Sequence, residues 1–416
     1  MTKRAPRVMM LSWEYPPRIV GGIARHVHEL SLALAARGVQ VEVVTAPHPG
    51  TPAREALRVP KRAGSAGGRL VVHRAGADSV VPIDFLNGIH QLNGSLAETA
   101  IQVLREDRID LIHAHDWLVA PAGKLLKNAY HIPLVATIHA TEHGRNHGIH
   151  NDLQHYIHSW EWLLSYEAWR VIVCSKYMAG ELHEVLATPE DKLDVIHNGL
   201  DLRRLVRKTK VSDDFRHRFA APDDRIVLFV GRMVREKGAH VLVEALPAVL
   251  REHPKARLVL VGGGPNDHLR RRALALGVMD RVLLTGFVSE EDLQGLYQVA
   301  EVAVYPSLYE PFGIVALEGM GTGVPVVTSD IGGLREVVEH GVSGLLTWAN
   351  NAASLAWGIN QVLDDPELAA KLAREGQRRV KEHFGWDRIA GQTVEVYQRV
   401  IAEARRSGWT KRGERQ

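Results

Sequence analysis

Two glutamates eight positions apart, Glu310 and Glu318, flank a break in an otherwise apolar stretch. Val302 to Tyr305 reads as a short buried strand, Pro306 to Pro311 breaks it, and Phe312 to Met320 has helical periodicity, so the segment runs strand, loop, helix. The first turn of a helix leaves N–H groups unpaired and carries partial positive charge, which suits a phosphate arriving near Gly313 and Ile314. Glu310 precedes the helix and Glu318 lies two turns inside it, so both carboxylates can face one crevice. Two readings stay open for them: groups that touch a ligand, or an N-terminal acid favoured by the helix dipole plus a solvent-facing side chain.

The wider pattern narrows the choice. Glu310-Pro311-Phe312-Gly313, the second glutamate, Gly323-Val324-Pro325-Val326-Val327 and Gly332-Gly333-Leu334-Arg335-Glu336 together resemble the donor-site signature of retaining glycosyltransferases of the two-Rossmann (GT-B) type. The resemblance is to the large family, glycosyltransferase family 4 type, that includes bacterial glycogen synthases. It covers nearly the whole chain and is specific for family rather than for substrate. It implies an α/β protein of two Rossmann-like domains facing each other across a cleft. The implied activity is that of a hexosyltransferase, moving a sugar, glucose first among candidates, from ADP- or UDP-glucose to an acceptor hydroxyl such as that of an α-glucan. By the same resemblance Glu318 accepts hydrogen bonds from the ribose and Glu310 contacts the sugar hydroxyls; Gly313 and Ile314 are expected at the donor's phosphate, and Phe312 is expected to touch substrate. The strand from Val282 to Val288 passes the nucleobase, which the family reads through backbone groups, so adenine and uracil donors are not separated.

A nucleotide sugar carries about two negative charges on its diphosphate, and departure of the leaving group concentrates them; a metal or fixed cations must absorb them. The apolar run Ile226 to Val230 is followed by Gly231-Arg232-Met233-Val234-Arg235-Glu236-Lys237-Gly238. No Asp-x-Asp stands at a strand end to hold a divalent ion. Arg232, a planar fork, and Lys237, a point charge, are therefore the expected diphosphate clamp, with no metal required. Gly262-Gly263-Gly264-Pro265 lacks the Gly-Lys-Ser/Thr ending of a Walker loop.

The first half must supply the other half of the chemistry. Val8 to Leu11, Gly21-Gly22, a helix with Val27, Leu30 and Leu34, Gly38 and Val39 to Val44 form a βαβ unit. The paired glycines are not the Gly-x-Gly-x-x-Gly fingerprint, and no acid follows the second strand, which argues against a dinucleotide. By resemblance Gly21 and Gly22 admit the donor's diphosphate; a plain tight turn is the alternative. Glycogen synthases place a lysine two residues before this pair, where this chain has Ile19; Arg18, one residue further back, is the candidate substitute. Strand ends at Ile112-His113-Ala114-His115-Asp116-Trp117 and Thr137-Ile138-His139 carry polar clusters. The resemblance assigns His115, Asp116 and Trp117 to the acceptor or sugar side and His139 to the transferred sugar, where a neutral imidazole or its carbonyl could stabilise charge at the anomeric carbon.

His139, His143, His147 and His150 have helical spacing, but Gly144 and Gly148 interrupt the helix and no cysteine or paired carboxylate completes a shell, so no metal site is expected there. Trp160, Trp162, Tyr166 and Trp169 are expected on one helix, mostly in the core, with one or two able to stack on sugar rings at its exposed edge. Residues 47–70 read as a mobile surface loop, and Arg203 to Asp224 as a linker.

At 416 residues the chain is long enough for two domains, expected at 1–204 and 205–385, with a helix at 386–405 returning to the first and a frayed tail at 406–416. A hydrophobic fraction of 45% fills both cores, and a net charge of +3 gives no case for nucleic acid. Cys174 is the single cysteine, so no internal disulfide is possible and a reducing, cytoplasmic setting is expected. No signal peptide or membrane-spanning run is recognised. Monomer and homo-oligomer stay undecided. Two alternatives stand beside this reading: a nucleotide-sugar 2-epimerase, an enzyme class of the same double-Rossmann shape, and, from a different class, a non-catalytic sugar-nucleotide or glycan binder.

Overall fold

The computed structural model describes residues 5–59, 67–76, 83–205, 211 and 213–410. The chain divides into two compact units, residues 1–199 with 386–416, and residues 200–385. The first boundary falls before the expected 204. Leu200 belongs with the second unit because its N–H bonds the Phe384 carbonyl at 2.8 Å and its side chain, with that of Leu202, closes over Gly321.

The first unit is built on strands β1 (Arg7–Ser12), β2 (Gln40–Thr45), β3 (Arg54–Leu57), β4 (Leu70–Arg74), β5 (Leu111–His115), β6 (Leu134–Ile138), β7 (Arg170–Val173) and β8 (Leu193–Val195). They form an eight-stranded sheet in the order β3-β4-β2-β1-β5-β6-β7-β8, parallel except where β3 runs antiparallel to β4. Nearly every residue of β1, β2, β4, β5 and β6 is buried, as expected for strands covered on both faces. The order reverses between β1 and β5, so the ends of these strands border the crevice where such sheets take ligands.

The helix Trp386–Arg406 belongs to this unit. Its Ile389, Ala390, Val396, Tyr397 and Val400 share one core with Val27, Leu30 and Leu34 of the helix Gly22–Ala36. Tyr397 Oη also meets His113 Nδ1 at 2.7 Å.

The second unit has strands β9 (Arg225–Val230), β10 (Ala256–Val261), β11 (Val282–Gly286), β12 (Val302–Tyr305), β13 (Val326–Ser329) and β14 (Leu345–Thr347). All pair in parallel in the order β11-β10-β9-β12-β13-β14, the Rossmann order, with its reversal between β9 and β12. The loops carrying Arg232 and Lys237, and Glu310, leave from these two strands.

Several expectations shift. The segment 47–70 contains the edge strand β3, while Gly64, Ser65 and Ala66 lie outside the described residues. The expected linker holds the helices Leu202–Leu205 and Asp213–His217; residues 206–210 and 212, Lys208 and Lys210 among them, also lie outside. The aromatic helix spans Asp152–Glu167, so Trp169 is past its end. Trp162 and Tyr166 are the two at the exposed edge, where they stack on each other at 5.2 Å. Strand β11 stops at Gly286, whose φ of 69° turns the backbone out of the ladder, so Val288 sits in the loop before the helix Glu290–Val299. No helix among the described residues is long and apolar enough to cross a membrane.

Candidate active site

In the second unit two loops lock together. After β9 the chain makes a single 3-10 turn, Arg235–Lys237, and enters the helix Ala239–Glu252 through Gly238 at φ 71°. A Cβ on Gly238 would stand 1.8 Å from the Pro306 carbonyl oxygen, so only glycine allows the loop after β12 to approach this closely. The Glu236 carbonyl accepts the N–H of Leu308 at 2.7 Å and of Tyr309 at 3.3 Å, tying the loops by backbone.

That contact brings Lys237 Nζ to 2.7 Å from Glu310 Oε2, with Ser307 Oγ donating to the same oxygen at 3.3 Å. Glu310 is 7% exposed, so its charge is matched by Lys237 and a hydroxyl rather than by bulk water. Arg232 is more open and pairs along its own loop, Nη2 to Glu236 Oε1 at 2.7 Å. Each of the two expected cations is thus held by a carboxylate.

Gly332-Gly333 backs the glutamate loop. Gly333 N–H donates to the Glu310 carbonyl at 2.9 Å, and a Cβ on Gly332 would come within 2.2 Å of that oxygen. Gly313, at φ 104°, starts the helix Ile314–Thr322, whose first turn has no side-chain cap. Glu318 is buried on this helix near the Tyr297 hydroxyl, which donates to Oε2 at 3.5 Å. Phe312 is 2% exposed and packs edge-to-face on Phe384 with centroids 6.0 Å apart. Its ring serves the core, which corrects the expectation that it touches substrate.

In the first unit the polar residues at the ends of β5 and β6 form a buried cluster. His115 and His139 stack with ring centroids 5.6 Å apart, and His115 Nδ1 lies 3.3 Å from His139 Nε2. Asp116, in a left-handed backbone at φ 62°, accepts the His139 N–H at 2.7 Å. Burial pushes His139 down to about 3, with nearby Arg145 adding to the effect, so the imidazole is neutral at working pH. Burial pushes Asp116 up to about 6, against the opposing pull of Arg145 and of the His139 N–H. Trp117 packs with Ile89, Leu118 and Ile157 rather than standing clear of the core.

Three members of this region escape a reading of the sequence. Glu14, 2% exposed, accepts the N–H groups of Val20 at 2.6 Å and Gly21 at 2.9 Å and so shapes the glycine turn from behind. Gly21 is extended at φ −154° and Gly22 is the first helical residue. Burial pushes Glu161 up to about 8, although its carboxyl accepts the Glu142 N–H at 2.8 Å. His26 reaches the cluster from the helix after the glycines, its ring 4.7 Å from that of His139. Arg18, the expected lysine substitute, lies with its guanidinium 5.0 Å over the Trp13 ring. His143, His147 and His150 do not join His139: the helix there spans only Glu142–Asn146 and His147 ends it in a left-handed turn.

Similarity to known proteins agrees with this architecture. Residues 20–204 match the family described as "Glycosyltransferase Family 4", and residues 211–379 match "Glycosyl transferases group 1". An uncharacterized glycosyltransferase of Methanocaldococcus jannaschii is 38% identical over 94% of this chain and 97% of its own. The glycogen synthase of Mycobacterium tuberculosis is 36% identical over 99% of this chain and 96% of its own. Among solved structures, sucrose-phosphate synthase from Thermosynechococcus elongatus superposes with a TM-score of 0.78 at 28% identity, covering 96% of this chain and 100% of that one. With two units each built on a Rossmann-like sheet, and matches along nearly its whole length, the chain belongs to the GT-B glycosyltransferases of family 4 type and is a glycosyltransferase.

Proposed function

We propose that the enzyme transfers glucose from ADP- or UDP-glucose to an acceptor hydroxyl, with retention at the anomeric carbon, and that an α-glucan is the acceptor. The observation that carries this reading is the Lys237–Glu310 pair, set at 2.7 Å beside an uncapped helix N-terminus. A diphosphate arriving there meets Lys237, the Arg232 fork and the first-turn N–H groups at Gly313 and Ile314. Together they take up the charge that builds on the leaving group, with no metal in the catalytic step. As Lys237 turns to phosphate, Glu310 is released to accept from the sugar hydroxyls. Glu318 is assigned to the ribose and Val288 to the stretch that passes the base. Gly21 and Gly22, held by Glu14, give the diphosphate a close backbone approach. His139, neutral at working pH, is assigned to stabilising the anomeric carbon, and the leaving phosphate to accepting the acceptor's proton. Arg18, His115 and Asp116 are assigned to the acceptor side.

The similar glycogen synthase supports a glucan acceptor; similar chains are also named D-inositol 3-phosphate glycosyltransferase, as in Thermobispora bispora at 31% identity, so the acceptor needs a direct test. The experiment is a panel of ADP-, UDP- and GDP-sugars against glycogen, maltose and glucose 1-phosphate, with and without a chelator. The expected result is α-linked glucose on a glucan or maltose, unaffected by chelation. Isomerised free donor, or donor binding with no turnover on any acceptor, contradicts it.

A further inference from the structure

His26, His115 and His139 come from three separate elements, yet each offers a ring nitrogen within 4.8 Å of the other two. Ordinary packing histidines look different. Neighbouring His113, its ring 4.1 Å from that of His115, has both nitrogens engaged, one with Tyr397 Oη and one with Thr137 Oγ1, each at 2.7 Å. His26 is 5% exposed, and neither of its nitrogens makes a hydrogen bond among the described residues; His115 Nε2 is buried without one as well. Asn198 lies beside His26 with its Oδ1 likewise unpartnered, so the two fall short of a hydrogen bond. Leaving buried polar atoms unmatched costs about 1–3 kcal/mol each, so an occupant that takes a His26 nitrogen would be favoured there.

The chemistry of the cluster selects that occupant. Three neutral imidazoles are ligands for zinc, cobalt, nickel or copper and poor ones for magnesium or calcium. Tetrahedral zinc at roughly 2.0–2.1 Å from each nitrogen sets the nitrogens about 3.3–3.4 Å apart. His115 Nδ1 and His139 Nε2 already stand at 3.3 Å, a spacing they reach by sharing a proton, so closing the triangle needs that proton to move to the other nitrogen of its ring and His26 to shift on the order of an ångström. Asp116, next in the chain to His115, accepts the His139 N–H at 2.7 Å and so fixes the backbone on which that ring stands.

We propose that His26, His115 and His139 bind one late first-row divalent metal ion, and that this ion inhibits the enzyme. Binding is independent of the assigned reaction; inhibition rests on the role given to His139, whose lone pair the metal would occupy.

The test uses the full-length, metal-free chain titrated with Zn²⁺ against a chromogenic chelator and with Co²⁺ by visible absorption. One site is expected, with Kd about 1 μM or tighter and a tetrahedral Co²⁺ band. His26→Gln and His115→Gln should each weaken it at least about thirtyfold, roughly 2 kcal/mol, with unchanged circular dichroism confirming the fold. His150→Ala and His155→Ala, on other surfaces, should bind as wild type does. The absence of any site tighter than about 100 μM, an octahedral Co²⁺ spectrum, or wild-type affinity in both glutamine variants would overturn the proposal. In a transfer assay Zn²⁺ should inhibit with the same midpoint as binding. Binding without inhibition would overturn the inhibitory claim and the role of His139 together, while leaving the metal site in place.

Discussion

The loops of the second unit and the histidine cluster of the first solve the problem of placing charge in opposite ways. Lys237 and Arg232 each meet a carboxylate at 2.7 Å, in a frame of backbone bonds and glycines that lets two loops touch. His115 and His139 are kept neutral by burial, with other imidazoles and Arg145 around them. A paired cation on a rigid loop can exchange one anion for another without paying to be desolvated again. A neutral buried imidazole offers a lone pair or a dipole, and resists becoming a cation.

The largest effects should come from breaking the charged frame. Glu310→Ala removes the partner of Lys237 and the contact assigned to the sugar; it should cost at least about two orders of magnitude in turnover, or roughly 3 kcal/mol. Steady-state kinetics at saturating donor checks it, and near-normal turnover would remove Glu310 from the site. Gly238→Ala should come next. Its Cβ has no room against Pro306, so the loops must separate, and we expect about tenfold or more lost in kcat/KM and a destabilisation of about 1–3 kcal/mol by denaturant unfolding. A variant as stable and active as wild type would show that the close approach does no mechanical work.

The buried cluster should answer smaller perturbations through pH. Burial raises the Glu161 carboxyl from 4.5 to about 8, so the folded state holds this proton more tightly than the unfolded chain does. The group's favourable contribution is fully present below about pH 4.5 and is lost as pH rises toward 8. Glu161→Gln mimics the protonated form and keeps an oxygen for the Glu142 N–H. Its melting temperature relative to wild type should therefore climb between pH 5 and 8 by a few degrees and stay flat at lower pH. A difference that is constant across this range would show that Glu161 ionises normally.

The contrast also explains what could be read from the residues alone. The strand, loop and helix around Glu310 were legible because apolar runs, prolines and a helical repeat lie next to one another along the chain. The frame itself was not, since Lys237 and Glu310 are 73 positions apart and meet only through parallel neighbours β9 and β12. The histidine spacing from 139 to 150 pointed along the chain, whereas the partners of His139 come from positions 26 and 115. Trp160 and Trp162 marked their helix as apolar, yet the helix turns Glu161 inward and Trp162 out. Glu14 left no pattern because it acts on backbone N–H groups, which every residue but proline carries.

The central claim is that Lys237 receives the donor's diphosphate from a position prepared by Glu310. Its most direct test is the transfer rate of Lys237→Ala on ADP- and UDP-glucose, with the fold verified by circular dichroism and donor binding by calorimetry. The account predicts a loss of at least about two orders of magnitude in turnover, roughly 3 kcal/mol, with the unliganded fold intact. Turnover within a few-fold of wild type in a folded Lys237→Ala enzyme would contradict it.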